Sequence, residues 1–304
     1  MKKLNYIKSI IIISLIFYSC SSSEPDENYW QEIKNNYHIY APPLPKNLDF
    51  AGEPVPLEFF DVREAIDREI LKIMFWHSEI ILYIKRAQRF FPIVEPILQK
   101  NGIPDDFKYM MVAESGMAPV VSPAGAAGYW QFMEKIGKKY GLEINNEIDE
   151  RYNIYKSTIA ACKYLLDAYN HYGNWTLAAA SFNVGQTVLD RAVRKQKQKS
   201  FYDLALNVQT ARYLYRILAI KVIMENPRSY GIIVRTKELY KPLKIKLVEV
   251  NTAIANWSDF AIEHGTNYKI LLLLNPWIRS SKLTNEKGKT YYVAIPVKGG
   301  RKIK

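Results

Sequence analysis

A carboxylic acid that leaves an apolar helix can keep its proton near neutral pH, and Glu114 has that setting. Phe107, Met110, Met111 and Ala113 precede it and bury a helix face, while Pro104-Asp105-Asp106 opens the helix with proline in its first turn. After Glu114-Ser115 the chain continues to Ser122-Pro-Ala-Gly-Ala-Ala-Gly-Tyr-Trp-Gln-Phe-Met133. Gly125 and Gly128 tolerate positive φ and let backbone come close to a ligand. Trp130 offers an apolar face and Gln131 a donor–acceptor pair, which suits a sugar ring with amide substituents. Desolvation raises the pKa of a glutamate so placed, and makes it a candidate general acid.

Ordinary glycosidases flank the scissile bond with two carboxylates. No second acid lies in this run. Glu134, Glu143, Asp149 and Glu150 follow in a polar stretch and are expected to face solvent. His38, His77, His171 and His264 have no ligand spacing, so neither a metal nor any other cofactor is expected. Cys162 falls on the inward side of an amphipathic helix and reads as a small buried residue.

The Glu114-Ser115 run with its glycine turn resembles the signature of the soluble-lytic-transglycosylase-like (SLT) domain, a goose-lysozyme-like family that cuts peptidoglycan. Three later blocks extend the resemblance. Asp149 to Leu165 is similar to the family's next helix. Gly173-Asn-Trp-Thr-Leu-Ala-Ala-Ala-Ser-Phe-Asn-Val-Gly185 is similar to its Ala-Tyr-Asn-x-Gly block. Phe201 to Leu204 and Thr210 to Tyr213 fall where the last block belongs.

The resemblance implies cleavage between N-acetylmuramic acid and N-acetylglucosamine, with Glu114 as sole acid and base and a 1,6-anhydromuramyl end as product. It also implies that Ser115, Ser122, Gln131, Asn183 and Tyr213 bind substrate, and that Gly128, Tyr129, Trp130, Phe182 and Gln209 form the cleft wall. Structural alternatives stay open: Ser115 capping a helix end, Asn183 making a turn beside Gly185, Tyr213 in the core, Trp130 and Phe182 as packing. Two positions depart from the pattern. Gln209 stands where glutamate is usual and Phe182 where tyrosine is usual, which removes a charge and a hydroxyl from the binding wall. A muramidase that adds water, and a non-catalytic wall-binding protein, remain the competing readings.

With 304 residues, 48% hydrophobic and 13% aromatic, the chain can build one sizeable core and a smaller unit. Its formal charge of +12 suits an anionic partner such as peptidoglycan carboxylates, nucleic acid or a membrane surface. The basic run Arg191, Arg194, Lys195, Lys197, Lys199 reads as a solvated loop between helices, and a nucleic-acid partner is not expected. Lys2, Lys3 and Lys8 precede the apolar run Ile10 to Tyr18, too short to span a bilayer and fit for a signal peptide. Residues 1–19 therefore read as a lipoprotein signal, with Cys20 becoming the acylated first residue. An anchored monomer on the outer membrane of a Gram-negative bacterium, facing the periplasm, is the expectation.

Residues 20–56, with six prolines from Pro25 to Pro56, read as a tether carrying short ordered pieces around Tyr29-Trp30. Residues 57–232 read as a mainly α, lysozyme-like catalytic domain. Apolar periodicity predicts a helix over 61–85 and another over 91–99. Residues 236–304 change texture: an alternating strand at Leu243 to Leu247, helices at Trp257 to His264 and Tyr268 to Leu274, and a returning strand at Tyr291 to Pro296. This β-α-α-β order resembles a degenerate lysin motif (LysM), which implies a small α/β domain that grips N-acetylglucosamine-containing glycans or merely caps the fold.

Overall fold

Ala51 and Gly52 both adopt positive φ (57° and 80°), the requirement of a tight two-residue hairpin. They join β1 (Asp49–Phe50) to β2 (Glu53–Pro54). The computed structural model describes residues 39–302 together with 28, 31–32 and 34–35. The signal segment, Cys20 and Tyr29-Trp30 lie outside the described residues.

The second half of the expected tether is part of the fold. Phe50 is wholly buried, and its ring meets Phe107 edge-on at 5.1 Å. The Ala51 amide donates to Asp106 Oδ2 at 2.7 Å, and the Glu53 carboxylate accepts from the amides of Trp175 (2.5 Å) and Thr176 (3.0 Å). Proline content marks extended backbone, but three buried anchors, Phe50, Val55 and Leu57, dock it.

Helix α1 spans Phe60–Phe75 and α2 spans His77–Lys100. The break falls at Trp76, whose φ and ψ of −87° and 59° leave the helical region. The two expected helices are thus cut elsewhere: the chain is continuous through 85–91 and interrupted at 76. Pro92 and Pro96 sit inside α2, where burial of Val94 and Leu98 holds the helix through the missing amide donors.

Next come α3 (Phe107–Ser115), α4 (Glu134–Lys139), α5 (Ile154–Tyr172), α6 (Trp175–Val184), α7 (Gln186–Gln196) and α8 (Val208–Glu225). α7 corrects the loop reading of the basic run, because Arg191 to Lys195 are helical and only Lys197 and Lys199 lie beyond it. Spread basic side chains on one helix face satisfy solvation as well as a loop does, with Leu189 pinning the opposite face. α8 is buried around most of its circumference, from Thr210 and Tyr213 to Ile223, and packs against α1, α3 and α6. No helix among the described residues is long and apolar enough to cross a membrane.

The carboxyl-terminal unit has the expected order: β3 (Ile245–Val250), α9 (Trp257–Glu263), α10 (Tyr268–Leu274) and β4 (Tyr291–Pro296). β3 and β4 pair antiparallel, from Ile245 opposite Pro296 to Val250 opposite Tyr291. The result is a mainly α body followed by a small α/β unit.

The two share a core. Ala127, Ile148 and Tyr152 of the helical body pack in one apolar cluster with Trp257, Trp277 and Ile295. The Asp149 amide donates to the Trp277 carbonyl, and the Arg279 amide to the Glu147 carbonyl, both at 2.9 Å. Asp149 and Glu150 are therefore buried (6% and 3% exposed) rather than solvated. A buried carboxylate needs partners. Asp149 has the Arg151 guanidinium at 2.7–3.2 Å, and Glu150 has Lys156 and the Glu143 amide.

Candidate active site

Helix α3 ends because Gly116 takes φ 58° and closes it with its amide on the Val112 carbonyl at 2.8 Å. A Cβ at Gly116 would meet Tyr83 Cε1 at 2.6 Å, so the closing residue must be small. Glu114 lies in the last turn and is only partly accessible. Burial raises its carboxyl from 4.5 to about 7, against the Tyr213 hydrogen bond and the Arg216 charge, which both lower it.

Tyr213 reaches Glu114 from α8. Its buried hydroxyl donates to Glu114 Oε1, and burial beside that carboxyl pushes the phenol well above its ordinary pKa. Tyr213 thus remains a proton donor in the hydrogen bond and fixes one carboxyl oxygen. Among the described residues no hydrogen bond engages the second oxygen.

Glu114 and Ser115 open onto a cleft of about 680 Å³. Its other walls come from α1, α2 and α8, through Glu69, Trp76, Tyr83, Arg212 and Arg216. A second cleft, about 450 Å³ between residues 143–148 and 283–291, holds none of the candidate residues.

The glycine turn sits behind the acid. The Ser115 hydroxyl donates to the Tyr129 carbonyl at 2.7 Å, tying the end of α3 to the turn. Ser122 Oγ accepts the Ala126 amide at 3.1 Å and shapes the turn's tip. Gln131, at φ 50°, donates from Nε2 to the carbonyls of Val120 (3.0 Å) and Gly128 (2.8 Å). Gly128, at φ 80°, lies against the backbone of Arg151, where a Cβ would stand 1.8 Å from its carbonyl oxygen. Arg151 closes the turn from behind, donating to the carbonyls of Gly125 (3.0 Å) and Phe132 (3.1 Å).

Three expected wall residues are corrected here. Gly128, Tyr129 and Trp130 are buried and do not line the cleft. Trp130 is wholly inside, donating from Nε1 to Thr158 Oγ1 at 2.9 Å. An indole beside a glycine-rich turn fills the space left by the absent side chains, and the ring faces the core. Phe182 is partly buried and its ring packs among Trp130, Phe132 and Tyr164. Asn183 accepts from Thr210 Oγ1 at 3.2 Å, joining α6 to α8. Gln209 is exposed in the first turn of α8 and is not among the residues lining the cleft.

Comparison with known proteins finds similarity in both the helical body and the carboxyl-terminal unit. Residues 92–205 match the family model of the transglycosylase SLT domain. That span, just over a third of the chain, is similar to the SLT domain. Residues 246–299 match the soluble lytic transglycosylase C-terminal LysM-like domain. Two similar proteins are the membrane-bound lytic murein transglycosylases D of Escherichia coli strain K12 and of E. coli O6:H1 strain CFT073. Each is 26% identical over 219 residues, 70% of this chain and 47% of the relative. The chain spans about half the length of these curated relatives. Among solved structures, an inactive mutant of the lytic transglycosylase Slt from Pseudomonas aeruginosa aligns at 18% identity and TM-score 0.37, over 52% of this chain and 28% of that one.

The span matched to the SLT domain contains Glu114 but only part of its cleft. Glu69, Trp76, Arg212, Tyr213 and Arg216 flank it in sequence and close the cleft around it. Of these, sequence reasoning found only Tyr213. Arg216 follows Tyr213 by three residues, one helical turn, and that spacing was the available signal. Glu69 had none, because its partner Arg212 lies 143 residues away. Glu69 is the second carboxylate in the cleft, held ionised by Arg212 (2.7 and 3.2 Å) and Arg68 (3.1 Å).

Among the described residues no cluster of His, Cys, Asp and Glu could hold a metal ion. Cys162 is buried in α5, and desolvation pushes its thiol to about 12, which leaves it unreactive.

Proposed function

We propose that the protein is a lytic transglycosylase that cuts peptidoglycan glycan strands without water, using Glu114 as the only proton donor and acceptor. The observation that carries this reading is a half-buried glutamate lining a cleft, its carboxyl pushed up to about 7 by desolvation, within the span similar to the SLT domain.

In the first step Glu114 gives its proton to the oxygen between muramyl C1 and glucosaminyl C4, and that C–O bond breaks. The Arg216 charge and the Tyr213 hydroxyl then stabilise the carboxylate that results. In the second step the carboxylate takes the proton of the muramyl 6-hydroxyl, whose oxygen bonds to C1. Glu114 regains its proton, and the products are a free 4-hydroxyl and a 1,6-anhydro ring. The cycle consumes no water and needs no second carboxylate.

Glu69 supplies the one observation in favour of a hydrolase with two acids. Both of its oxygens are taken by guanidinium groups, which counts against a role in positioning water. Ser115 and Tyr213 hold the acid in place in this reading, and Ser122 and Gln131 shape the turn that supports it. Asn183 remains the candidate for an acetamido group, at the junction of α6 and α8. The lipidated Cys20 and the outer-membrane, periplasmic location belong to the same proposal, supported by the signal-like sequence and by the membrane-bound relatives.

The test is mass spectrometry of muropeptides released from purified peptidoglycan by the protein and by Glu114→Gln. Ends carrying 1,6-anhydromuramic acid, absent with the variant, support the lyase reading. Reducing muramic acid ends would replace it with a hydrolase. Binding of the polymer without release by either form would leave a wall-binding protein.

A further inference from the structure

The turn behind Glu114 is gripped by a side chain that does not line the cleft. Arg151 is buried and lies outside the residues around the cavity at Glu114. Its Nη1 donates to the carbonyls of Gly125 and Phe132, one on each arm of the turn. Its Nε and Nη2 meet the Asp149 carboxylate. Pairing with Asp149 occupies one edge of the guanidinium, and the fork spends the rest of its donors on the turn. The backbone joins in, because Gly128 packs against the Arg151 carbonyl. Asp149 is itself fixed from the carboxyl-terminal unit, its amide bonded to the Trp277 carbonyl at 2.9 Å.

The other face of the turn leads to the acid. Tyr129 offers its carbonyl to the Ser115 hydroxyl at 2.7 Å, and Ser115 follows Glu114 in the last turn of α3. Glu114 is thus held from two sides, by Tyr213 on α8 and by the turn through Ser115. Two glycines at positive φ leave such a turn many conformations unless something fixes it.

We propose that Arg151 is a positioning residue for Glu114: its guanidinium locks the glycine turn, and the locked turn holds the acid through Ser115 where it meets the scissile bond. The inference rests on the reading of Glu114 as the proton donor. A loosened turn leaves α3 folded but frees the neighbour of the acid and admits water to the carboxyl, which lowers a proton affinity that burial had raised. Tyr213 and Arg216 of α8, Tyr83 of α2 and Glu69 and Lys72 of α1 also face Glu114. Among the described residues none of these bonds to Arg151, so a shift at the acid on changing Arg151 reports the turn.

The test uses the full chain and reads Glu114 in two independent ways. Its carboxyl is titrated by NMR of protein carrying 13C in the glutamate carboxyls, the signal assigned by its loss in Glu114→Gln. Muropeptide release gives kcat and KM. In Arg151→Lys the titration midpoint should fall by about half a unit, because the carboxyl gains water. The same variant should lose roughly tenfold in kcat with KM within about twofold, the pattern of a misplaced catalytic group rather than of lost binding. Asp149→Asn removes the charge that orients Arg151 and should move both quantities the same way by less. Ser115→Ala should reproduce the midpoint shift, and its combination with Arg151→Lys should add little, whereas independent sites add. Thermal melting of each variant confirms that it is folded.

An unchanged or raised midpoint in a folded Arg151→Lys would overturn the positioning role even if the variant were slower, since general loosening also slows an enzyme. Fully additive effects in the double variant would overturn the route through Ser115. A raised KM with kcat intact would overturn it too, by making Arg151 a binding residue. Where Arg151→Lys does not fold, Asp149→Asn decides on the same midpoint. Failure of the cleavage reading shows separately, as absence of muropeptide release by the unmodified chain, while the NMR titration still reports whether Arg151 acts on Glu114.

Discussion

The Tyr213 hydroxyl donates to Oε1 of Glu114 across 99 residues of sequence, joining the end of α3 to the buried flank of α8. This contact sets both the orientation of the acid and part of its proton affinity. The hydrogen bond favours the carboxylate and lowers a pKa that burial raises, and the balance falls at about 7.

Activity should therefore need Glu114 protonated at the start of each cycle. The kcat/KM on peptidoglycan is expected to be level below about pH 6 and to fall as pH rises through about 7. Glu114→Gln should lower activity by at least about 10³-fold with an unchanged circular dichroism spectrum. A variant retaining a tenth of the activity would show that another group supplies the proton.

Tyr213→Phe removes a hydrogen bond that lowers the Glu114 pKa, so the alkaline limb should move to higher pH. The carboxyl also loses its positioning contact, and kcat should drop by roughly ten- to a hundredfold, the range for a hydrogen bond to a charged group. A pH–rate profile of the variant checks both. An unshifted limb would mean that the phenol does not tune the acid.

The same pKa has a consequence for stability. Between about 4.5 and 7 the folded protein keeps a proton on Glu114 that the unfolded chain has released, so this group's contribution to stability declines as pH rises across that window. Glu114→Gln should abolish the decline. At pH 8 the variant should be more stable by about 2 kcal/mol, a figure discounted because the carboxyl is partly accessible. Denaturant melts at pH 5 and pH 8 measure the difference.

Gly128→Ala should unfold the protein or leave it severely destabilised. The added Cβ would stand 1.8 Å from the Arg151 carbonyl oxygen and 2.3 Å from its carbon, and backbone cannot swing aside as a side chain can. The positive φ adds to the strain. A loss above about 3 kcal/mol is expected. Gly125→Ala, at a position with nothing within 4 Å, should cost much less despite its own positive φ.

The shared core predicts that the two units melt together. Trp277→Ala should cost about 3–5 kcal/mol, the usual range for a buried tryptophan. Trp277 is 4% exposed, stacks on Tyr291, and offers its carbonyl to Asp149 of the helical body. One calorimetric transition at a lower temperature is expected. Two separated transitions would contradict the coupling.

The carboxyl-terminal strand and helix order could be read directly from residues 245–296, because alternation and helical spacing there have the right periods. Glu114 stood out by its place at the end of an apolar helix together with the Ser122–Met133 turn and the later blocks that resemble one family. Composition misled at Trp130 and at Asp149-Glu150. A tryptophan near a cleft can face either way, and a polar run is buried whenever each charge finds a partner. Arg151 and Lys156 are those partners, and pairing of this kind leaves no period in the sequence. The hairpin at Asp49–Pro54 was hidden by its prolines, and the cleft's α1 wall by its distance along the chain.

Arg279 and Thr284 hold Glu147, across 137 residues in the case of the Thr284 amide. Chains are made from the amino terminus, at roughly 5–20 residues per second. Glu114, its turn and α8 are thus all synthesised before the strands and helices against which Ile148 and Tyr152 pack. Until those emerge, the apolar side of residues 127–152 faces water. The acid is specified early, and the wall behind its turn is completed last.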